Sequence, residues 1–268
     1  MPVLNGAATI GKALGALRGQ APITGGHELI VVDNGSSDAT REIARGFGAT
    51  LLEQPKRGPS AARNLGLEMA RGAIVVHLDA DIVPTRRWLR EIVAPFARPE
   101  VVLVGGRTLT FPPGTAAERY VASSGRFEPE NNVYRDPFPF APSQNLAVRR
   151  DAARRAGGWA EDLLFGEDID FCHRVLRACP GGAIVYAPEA LVLHHERTSD
   201  EALRRQALSY GSGAAEIYMR YPDVVRWDLA KSLRLAQVLL GRGLAPPLLR
   251  LGRIVGAVPP ERIEFAVY

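Results

Sequence analysis

Short hydrophobic runs alternate with amphipathic stretches along the first hundred residues. From Glu28 onward, strands are predicted at "ELIVVD", "ATLLEQ", "AIVVHLD" and "VVLVGGRTL", and the helices between them at "SSDATREIARGFG", "PSAARNLGLEMARG" and "TRRWLREIVAPF". Apolar runs without polar alternation are typical of strands that are covered on both faces. The alternation of strand and helix predicts an α/β fold, with a doubly wound parallel sheet in this part of the chain.

The pattern loosens between Leu109 and Ser143, where Pro, Gly, Phe and Asn are frequent. This stretch is too long for a plain connection, which predicts a lid or an acceptor-binding loop. Order returns with a strand entering a helix at "SQNLAVRR", a helix at "GEDIDFCHRVL" and two short strands around "AIVYAPEALVLHH". From about Asp200 the pattern is helical.

Two carboxylates follow the apolar run "AIVVHL", at Asp79 and Asp81. The carboxyl ends of strands are where open α/β sheets bind ligands. Paired carboxylates suit a hard divalent cation, and such a cation suits a diphosphate. The pattern favours a nucleotide-sugar enzyme, although the Asp-x-Asp spacing alone is weak and recurs at Asp168 and Asp170.

Composition excludes several classes of protein. The 268 residues are 46% hydrophobic, and the net charge of +4 comes from dispersed basic residues, so nucleic acid is not an expected partner. Cys172 and Cys179 match no metal motif, which predicts buried free thiols. No signal-peptide pattern and no run of about 18 apolar residues is present, so we expect a cytoplasmic location.

Several motifs occur in one order and in matching strand or helix contexts. They are "PVLNGAATI", "LIVVDNGSSDAT", "RGPSAARNLGL", "VVHLDAD", "SQNLAVRR", "GGW", "FGEDIDFCHRV" and "VLHHE". Together they resemble the inverting glycosyltransferases of family 2, over roughly residues 2–220. The resemblance implies a GT-A fold, with a mixed sheet flanked by helices. It places a glycosyltransferase domain at 1–200, with a nucleotide-binding half at about 1–109 and an acceptor half at about 110–200. A C-terminal helical extension follows at 201–268.

The resemblance also implies a set of donor-binding residues: Asn5, Asp33, Arg63, Asp79 and Ala80. A carboxylate at Asp33 suits ribose hydroxyls or a base N–H, and a guanidinium at Arg63 suits a base or phosphate edge. The alternatives are that Asp33 caps the following helix and that Arg63 is a surface arginine.

A divalent cation, Mn²⁺ or Mg²⁺, is the cofactor that the resemblance implies. Its protein ligands would be Asp81 and His194, the histidine lying at the end of the strand "EALVLH". The adjacent His195 leaves the register open and is the alternative ligand.

On the acceptor side, the resemblance assigns the general base to Asp168. Inversion requires such a base on the face of the sugar opposite the leaving diphosphate. The alternative is a helix cap, because Asp168 lies at the start of a predicted helix. Glu167 and Trp159 are the implied acceptor contacts, with core packing the equal alternative for Trp159.

Three features refine this interpretation. No apolar run precedes "PVLN", so the first strand of the fold is missing, and we expect the natural chain to start upstream of Met1. The Gln-x-x-Arg-Trp signature of processive members is absent, which predicts transfer of a single sugar. The region Arg226–Gly256 mixes apolar and basic residues; it either packs on the domain or makes peripheral contact with the inner face of the plasma membrane.

The predicted function is a metal-dependent inverting glycosyltransferase that moves one sugar from a nucleotide-diphosphate sugar, with UDP favoured, to an acceptor hydroxyl. The expected acceptor is a saccharide or a lipid-linked saccharide of bacterial envelope glycan or glycolipid synthesis. The alternative is a non-catalytic nucleotide-sugar-binding protein of the same fold. A nicotinamide dehydrogenase would require G-x-G-x-x-G after a first strand, and the sequence has none in that context.

Overall fold

The structure is a computed structural model that describes residues 1–123, 129–196 and 199–224. By their contacts the residues divide into two compact units, Met1–Arg205 and Gln206–Tyr268. Both sheets belong to the first unit. The division falls inside the last helix, and the boundary expected after residue 200 lies at the start of that helix.

Three parallel strands form the first sheet, in the order β1-β2-β3. They are Pro2–Val3 (β1), Ile30–Asp33 (β2) and Thr50–Glu53 (β3), connected by helices Ile10–Arg18 (α1) and Thr40–Gly46 (α2). The first strand, expected from the sequence to be missing, is the two-residue β1, which pairs with β2. Its register is fixed by the carbonyls of Met1 and Val3, which accept from the amides of Val32 and Asn34 at 2.9 and 2.8 Å.

Five strands form the second sheet, in the order β4-β7-β6-β8-β5. They are Ile74–Leu78 (β4), Ile82–Pro84 (β5), Val101–Thr110 (β6), Asn145–Arg149 (β7) and Ala183–His194 (β8). Only β6 and β8 run parallel; the other pairs are antiparallel. The remaining helices are Pro59–Met69 (α3), Trp88–Val93 (α4), Ala116–Ser123 (α5), Pro129–Val133 (α6), Arg150–Arg155 (α7), Glu167–Ala178 (α8) and Asp200–Arg220 (α9), with a 3₁₀ turn at Ala94–Ala97.

The continuous parallel sheet predicted for the first hundred residues is therefore wrong. Strand β4 pairs antiparallel with β7, and β7 lies between β4 and β6. An apolar run records that both faces of a strand are covered, but it carries no information about which strand lies beside it. The pairing partner of β4 comes from about 70 residues further along the chain.

Two other predictions are corrected. The loose stretch between Leu109 and Ser143 contains α5 and α6 rather than loop alone. The two short strands predicted around "AIVYAPEALVLHH" are one strand, β8, whose pairing with β6 shifts register between Gly106 and Arg107. Pro188 lies in the part of β8 that this shift leaves out of the ladder, which is where a strand tolerates proline.

The second sheet is covered on both faces, which explains its apolar runs. Along β6, Val104 packs in a cluster with α1 and α4, whereas Leu103 packs in a cluster with α7 and α8. Along β7, Ala147 faces the first cluster and Leu146 the second. Successive side chains of a strand point to opposite faces, so a sheet covered by helices on both faces needs apolar residues at consecutive positions.

A buried amide ties together the centre of this sheet. The Asn145 side chain donates to the carbonyls of Arg107 and Ala190 at 3.0 Å and accepts from Trp88 Nε1 at 2.8 Å. The carbonyls belong to β6 and β8, and Trp88 begins α4. A Cβ on Gly106 would stand 2.4 Å from the Asn145 amide nitrogen, so this junction needs glycine there.

A second amide, Asn64 of α3, clamps the turn at 157–159. Its Oδ1 accepts from the Trp159 amide at 2.7 Å, and its Nδ2 donates to the Trp159 carbonyl at 3.0 Å. Gly157 and Gly158 both have positive φ, at 81° and 72°. A Cβ on Gly158 would lie 2.6 Å from Asn64 Oδ1, whereas one on Gly157 would meet nothing within 4 Å.

Cys172 and Cys179 are free and buried, as predicted. Among the helices of the described segments, none combines the length and apolar character that crossing a bilayer requires. The region Arg226–Gly256, for which membrane contact is one expectation, lies outside the described residues.

The paired glycines give a matched test of the Asn64 clamp. We expect Gly157→Ala to lower the free energy of unfolding by about 1 kcal/mol, the cost of a side chain at positive φ. We expect Gly158→Ala to lower it by about 2–4 kcal/mol, because the new methyl also displaces Asn64. Chemical denaturation of both variants measures the difference. Equal losses would show that the clamp adds nothing to the stability of the turn.

Candidate active site

The turn after β1 and the loop after β2 hold two of the predicted nucleotide residues. Asp33 is 1% exposed, and its carboxylate accepts from the amides of Gly35 and Ser36 at 3.1–3.3 Å. Asn5 has φ 51°, and its Oδ1 accepts from the Ser37 amide at 2.9 Å. Both side chains shape the loop between β2 and α2. The amides that Asp33 binds lie in this loop, before α2 begins at Thr40, so its contacts are not those of the helix-capping alternative.

Asp79, Ala80 and Asp81 form the turn between β4 and β5. The side chains of Asp79 and Asp81 are 31% and 33% exposed, so each carboxylate is partly accessible to solvent. Ala80 is 9% exposed and packs in the apolar cluster of α1 and α4, which leaves its backbone as the part available to a donor.

His194 lies beside this turn because β8 pairs with β5, which puts His194 opposite Ile82. Its Nε2 lies 3.7 Å from Asp81 Oδ2. The His195 ring instead stacks on Phe111, with the ring centroids 4.2 Å apart. The structure therefore brings His194, and not the alternative His195, to the carboxylate of Asp81.

Glu196 is a residue of this site that sequence reasoning missed. Its side chain is 2% exposed, and one oxygen bonds His194 Nδ1. Burial disfavours the charged form of His194, but the Glu196 hydrogen bond and the charges of Asp81 and Glu196 outweigh burial and raise the pKa of His194. Held in this way, the imidazole presents Nε2 towards Asp81. The signal in the sequence was a glutamate two residues after the histidine in "HHE".

Arg63 occupies the centre of the site. The helix α3 carries its side chain, 4% exposed, to three partners: Nη1 donates to Glu167 Oε1 at 3.1 Å, and Nη2 donates to Asp79 Oδ1 at 3.1 Å and to Ser143 Oγ at 2.8 Å. Burial works against the charge, yet the Asp79 and Glu167 carboxylates raise the pKa of Arg63. The surface alternative for this arginine is wrong. Ser143, which the prediction omitted, belongs to the same cluster.

Trp159 lies beneath Arg63 and is 2% exposed. One face of the indole stacks on Phe171, with centroids 4.0 Å apart, and the Arg63 guanidinium lies 4.9 Å from the ring centroid. The His77 ring packs edge-to-face with the indole, with the ring centroids 5.0 Å apart. An acceptor sugar needs an open indole face, and both faces of Trp159 are covered by protein groups. The predicted acceptor contact of Trp159 is therefore corrected to core packing, in which the ring supports the Arg63 guanidinium.

The start of α8 carries three carboxylates with different surroundings. Glu167 pairs with Arg63. Asp170 is fully buried and pairs with Arg174 at 2.6 Å, and Arg174 also donates to the Gly158 carbonyl at 2.6 Å. Asp168 is half-buried, and its Oδ1 accepts from the Ile169 amide at 2.9 Å. Asp170, the second carboxylate of the Asp168-x-Asp170 pair, therefore helps to hold the turn at 157–159 through Arg174.

The surroundings of Asp168 favour its protonated form. Burial, and then the neighbouring charge of Glu167, raise its pKa to about 7, against the smaller opposing effects of the Ile169 amide and Arg63. A carboxyl group with a pKa near the working pH is well suited to take up a proton. The raised pKa also means that folding stabilises the protonated form.

Stability should therefore depend on pH through Asp168. An unfolded aspartate ionises near pH 4, so between about pH 4 and pH 7 the native state binds more protons at this position than the unfolded state, and stability falls as pH rises. We expect Asp168→Asn to be more stable than the wild type by about 1–3 kcal/mol at pH 8, with the gain vanishing towards pH 4. Thermal unfolding across this range measures it. Asp151→Asn, at an exposed first-turn aspartate of α7, is the matched control. A gain that does not change with pH would contradict the raised pKa.

The geometry can be compared with that of known proteins. The solved structure of the mannosyltransferase PcManGT from Pyrobaculum calidifontis, in complex with GDP-Man and Mn²⁺, superposes with a TM-score of 0.69 at 22% identity and covers 97% of this chain and 80% of that one. Glucosyl-3-phosphoglycerate synthase from Mycobacterium tuberculosis superposes with a TM-score of 0.59 at 24% identity, covering 82% and 77%. Both are GT-A fold enzymes, and the GT-A fold implied by the sequence is confirmed.

Sequence comparison adds the family. The glycosyltransferase AglE of Haloferax volcanii is 35% identical over 227 residues, which cover 82% of this chain and 73% of AglE. The pre-mycofactocin glycosyltransferase of Mycobacterium tuberculosis is 31% identical over 237 residues, which cover 83% of this chain and 47% of that protein. This chain thus spans just under half of the latter relative. Residues 1–157 match the family described as Glycosyl transferase family 2. The chain belongs to glycosyltransferase family 2.

Proposed function

We propose that this glycosyltransferase moves one sugar from a nucleotide-diphosphate sugar to an acceptor hydroxyl, with inversion at the anomeric carbon and with Asp168 as general base. The observation that carries the proposal is the position of Asp168: its neighbour Glu167 is joined through Arg63 to Asp79, one of the two partly exposed carboxylates of the β4–β5 turn. Burial and the charge of Glu167, which raise the pKa of Asp168 to about 7, agree with this role.

The reaction is a single displacement. The acceptor hydroxyl oxygen forms a bond to the anomeric carbon as the bond from that carbon to the diphosphate oxygen breaks. The proton of the hydroxyl passes to the Asp168 carboxylate, and the nucleoside diphosphate leaves with the bonding electrons. Asp170 is unsuited to this role because it is fully buried and paired with Arg174.

The residues around the β4–β5 turn fit a divalent cation. Asp81 offers a hard carboxylate oxygen and His194 a ring nitrogen, 3.7 Å apart. The buried Glu196 on Nδ1 fixes the imidazole in the way that carboxylates orient metal-bound histidines in other proteins. Within the described residues no three His, Cys, Asp or Glu side chains converge as a complete metal cage. Two protein ligands leave positions for diphosphate oxygens, the arrangement that Mg²⁺ commonly adopts with nucleotides.

We therefore assign Mn²⁺ or Mg²⁺ to Asp81 and His194. When bound, the cation neutralises the charge that develops on the departing diphosphate. Solved relatives of this fold support the assignment, since the Pyrobaculum mannosyltransferase binds GDP-Man and Mn²⁺ and the mycobacterial synthase binds UDP and Mn²⁺. These two bind different bases, so the preference for UDP rests on the family resemblance. For the acceptor we propose a saccharide or a lipid-linked saccharide.

A donor panel tests the proposal. UDP-, dTDP- and GDP-sugars, each with Mn²⁺, Mg²⁺ or EDTA, are scored by thermal shift and by slow donor hydrolysis. We expect one donor class to stabilise both the wild type and Asp168→Asn when metal is present. Hydrolysis should fall by about 10²–10⁴-fold in Asp168→Asn, because the variant lacks the base.

Each other outcome has a distinct meaning. Equal hydrolysis in Asp168→Asn would remove Asp168 as the base. Donor binding without any turnover in the wild type would favour the non-catalytic alternative. Absence of stabilisation by every donor would contradict nucleotide-sugar binding by this chain. Asp151→Asn controls for the loss of a helix-terminal carboxylate and should hydrolyse the donor at the wild-type rate.

The metal assignment has a test that does not depend on turnover. We expect Glu196→Ala to weaken Mn²⁺ binding by about 10–100-fold, because the His194 ring loses its orienting partner. Electron paramagnetic resonance of free Mn²⁺, with and without UDP, measures the affinity. Glu196→Gln keeps an acceptor oxygen and should lose less. Glu189→Ala removes an exposed carboxylate from the same strand and should leave the affinity unchanged. Wild-type affinity in Glu196→Ala would contradict the assignment of His194.

A further inference from the structure

Arg63 contacts both the β4–β5 turn, which is the proposed donor turn, and the start of α8. Its guanidinium bonds Asp79 of the β4–β5 turn, Glu167 at the first position of α8 and Ser143, two residues before β7. These groups come from parts of the chain up to about 100 residues away. The side chain is 4% exposed, so its charge is compensated by protein groups rather than by water.

The contacts use the guanidinium as a rigid fork. Nη1 is directed at Glu167 and Nη2 at Asp79 and Ser143. A planar group with fixed donor directions sets the spacing between the two carboxylates that it binds, which a lysine ammonium cannot do. The plane is itself supported from beneath by Trp159, whose backbone Asn64 holds at both its amide and its carbonyl.

We propose that Arg63 is a positioning residue of the transfer reaction: it holds Glu167 of α8 at a fixed distance from Asp79 of the donor turn, and so fixes Asp168 relative to the donor. This inference rests on the proposed function. It differs from the direct nucleotide contact that the family resemblance implied for Arg63, because the side chain is 4% exposed and three of its N–H groups donate to protein side chains.

The bridge has an electrostatic consequence at Asp168 that can be measured without catalysis. The charged or titratable groups acting with Asp168 are Glu167 and Cys172 on its own helix and Arg63 from α3. Glu167 raises the pKa of Asp168 and Arg63 lowers it. Removal of the two neighbours should therefore shift the pKa of Asp168 in opposite directions.

The primary experiment is ¹³C NMR titration of aspartate carboxyl groups, with the Asp168 signal assigned by its loss in Asp168→Asn. We expect Arg63→Gln to raise the pKa of Asp168 by about one unit and Glu167→Gln to lower it. Arg63→Lys keeps the charge but cannot bridge both carboxylates, so it should also raise the pKa, by less. Arg150→Gln is the matched control: this arginine donates to the carbonyls of Ala70 and Arg71, so its loss perturbs packing without touching the site.

Kinetics distinguish positioning from nucleotide contact. If Arg63 is a positioning residue, Arg63→Lys lowers kcat by about 10–100-fold and changes the donor KM little. The pH dependence of kcat shifts to higher pH, because the pKa of Asp168 rises. A raised donor KM with an unmoved Asp168 pKa would instead assign Arg63 to the nucleotide and overturn the proposal.

Failure of the proposed function gives a different result. If the wild type transfers no sugar, the pKa shifts still decide whether Arg63 holds the start of α8. If Arg63→Gln does not fold, Arg63→Lys decides: a wild-type pKa and a wild-type kcat in that variant would overturn the bridge. A shift of equal size in Arg150→Gln would show that general loosening, and not the bridge, moves the pKa.

Discussion

The candidate active site depends on one buried charge. Taking a guanidinium out of water is costly unless carboxylates pair with it, and Arg63 is 4% exposed. Its two carboxylate partners therefore have to converge, which brings the turn after β4 and the start of α8 to one place. Removing Arg63 would leave Asp79 and Glu167 without the cation that they share. The pairing thus makes the donor side and the acceptor side of the site interdependent.

The surroundings of the carboxylates match what each is proposed to do. Asp79 and Asp81 keep about a third of their side chains exposed, as groups that meet a charged, hydrated diphosphate require. Asp168 is half-buried, and burial is the main cause of its raised pKa. The supporting carboxylate Glu196 is almost completely buried, so the orientation that it gives to His194 is not diluted by water.

Two side-chain amides, one buried and one half-buried, hold much of the local architecture. Asn145 and Asn64 satisfy backbone or indole groups at junctions where no regular ladder can do so. Both junctions have a glycine against the amide, at Gly106 and Gly158, because a Cβ would occupy the space that the amide needs. Asn145 of "SQN", Asn64 of "ARN" and Gly158 of "GGW" therefore position the site through contacts within the protein.

The sequence by itself determined the class of the fold and much of the order of elements in its first hundred residues. Apolar runs predicted β2, β3, β4 and β6 and the helices between them, because burial leaves a direct mark on composition. It also placed Asp79 and Asp81 at the end of a strand and Asp168 at the start of a helix, since both positions are local properties of the chain.

Only the tertiary structure decided which elements are neighbours and which side chains meet. The insertion of β7 between β4 and β6, the choice of His194 over His195, and the support that Glu196 gives to His194 all depend on pairing between distant strands or on side-chain direction. Arg63 and Trp159 show the same limit: "ARN" and "GGW" are about 95 residues apart, and nothing local indicates that one residue lies over the other. Periodicity records how much of a residue is buried, whereas the partner that buries it is a property of the folded chain.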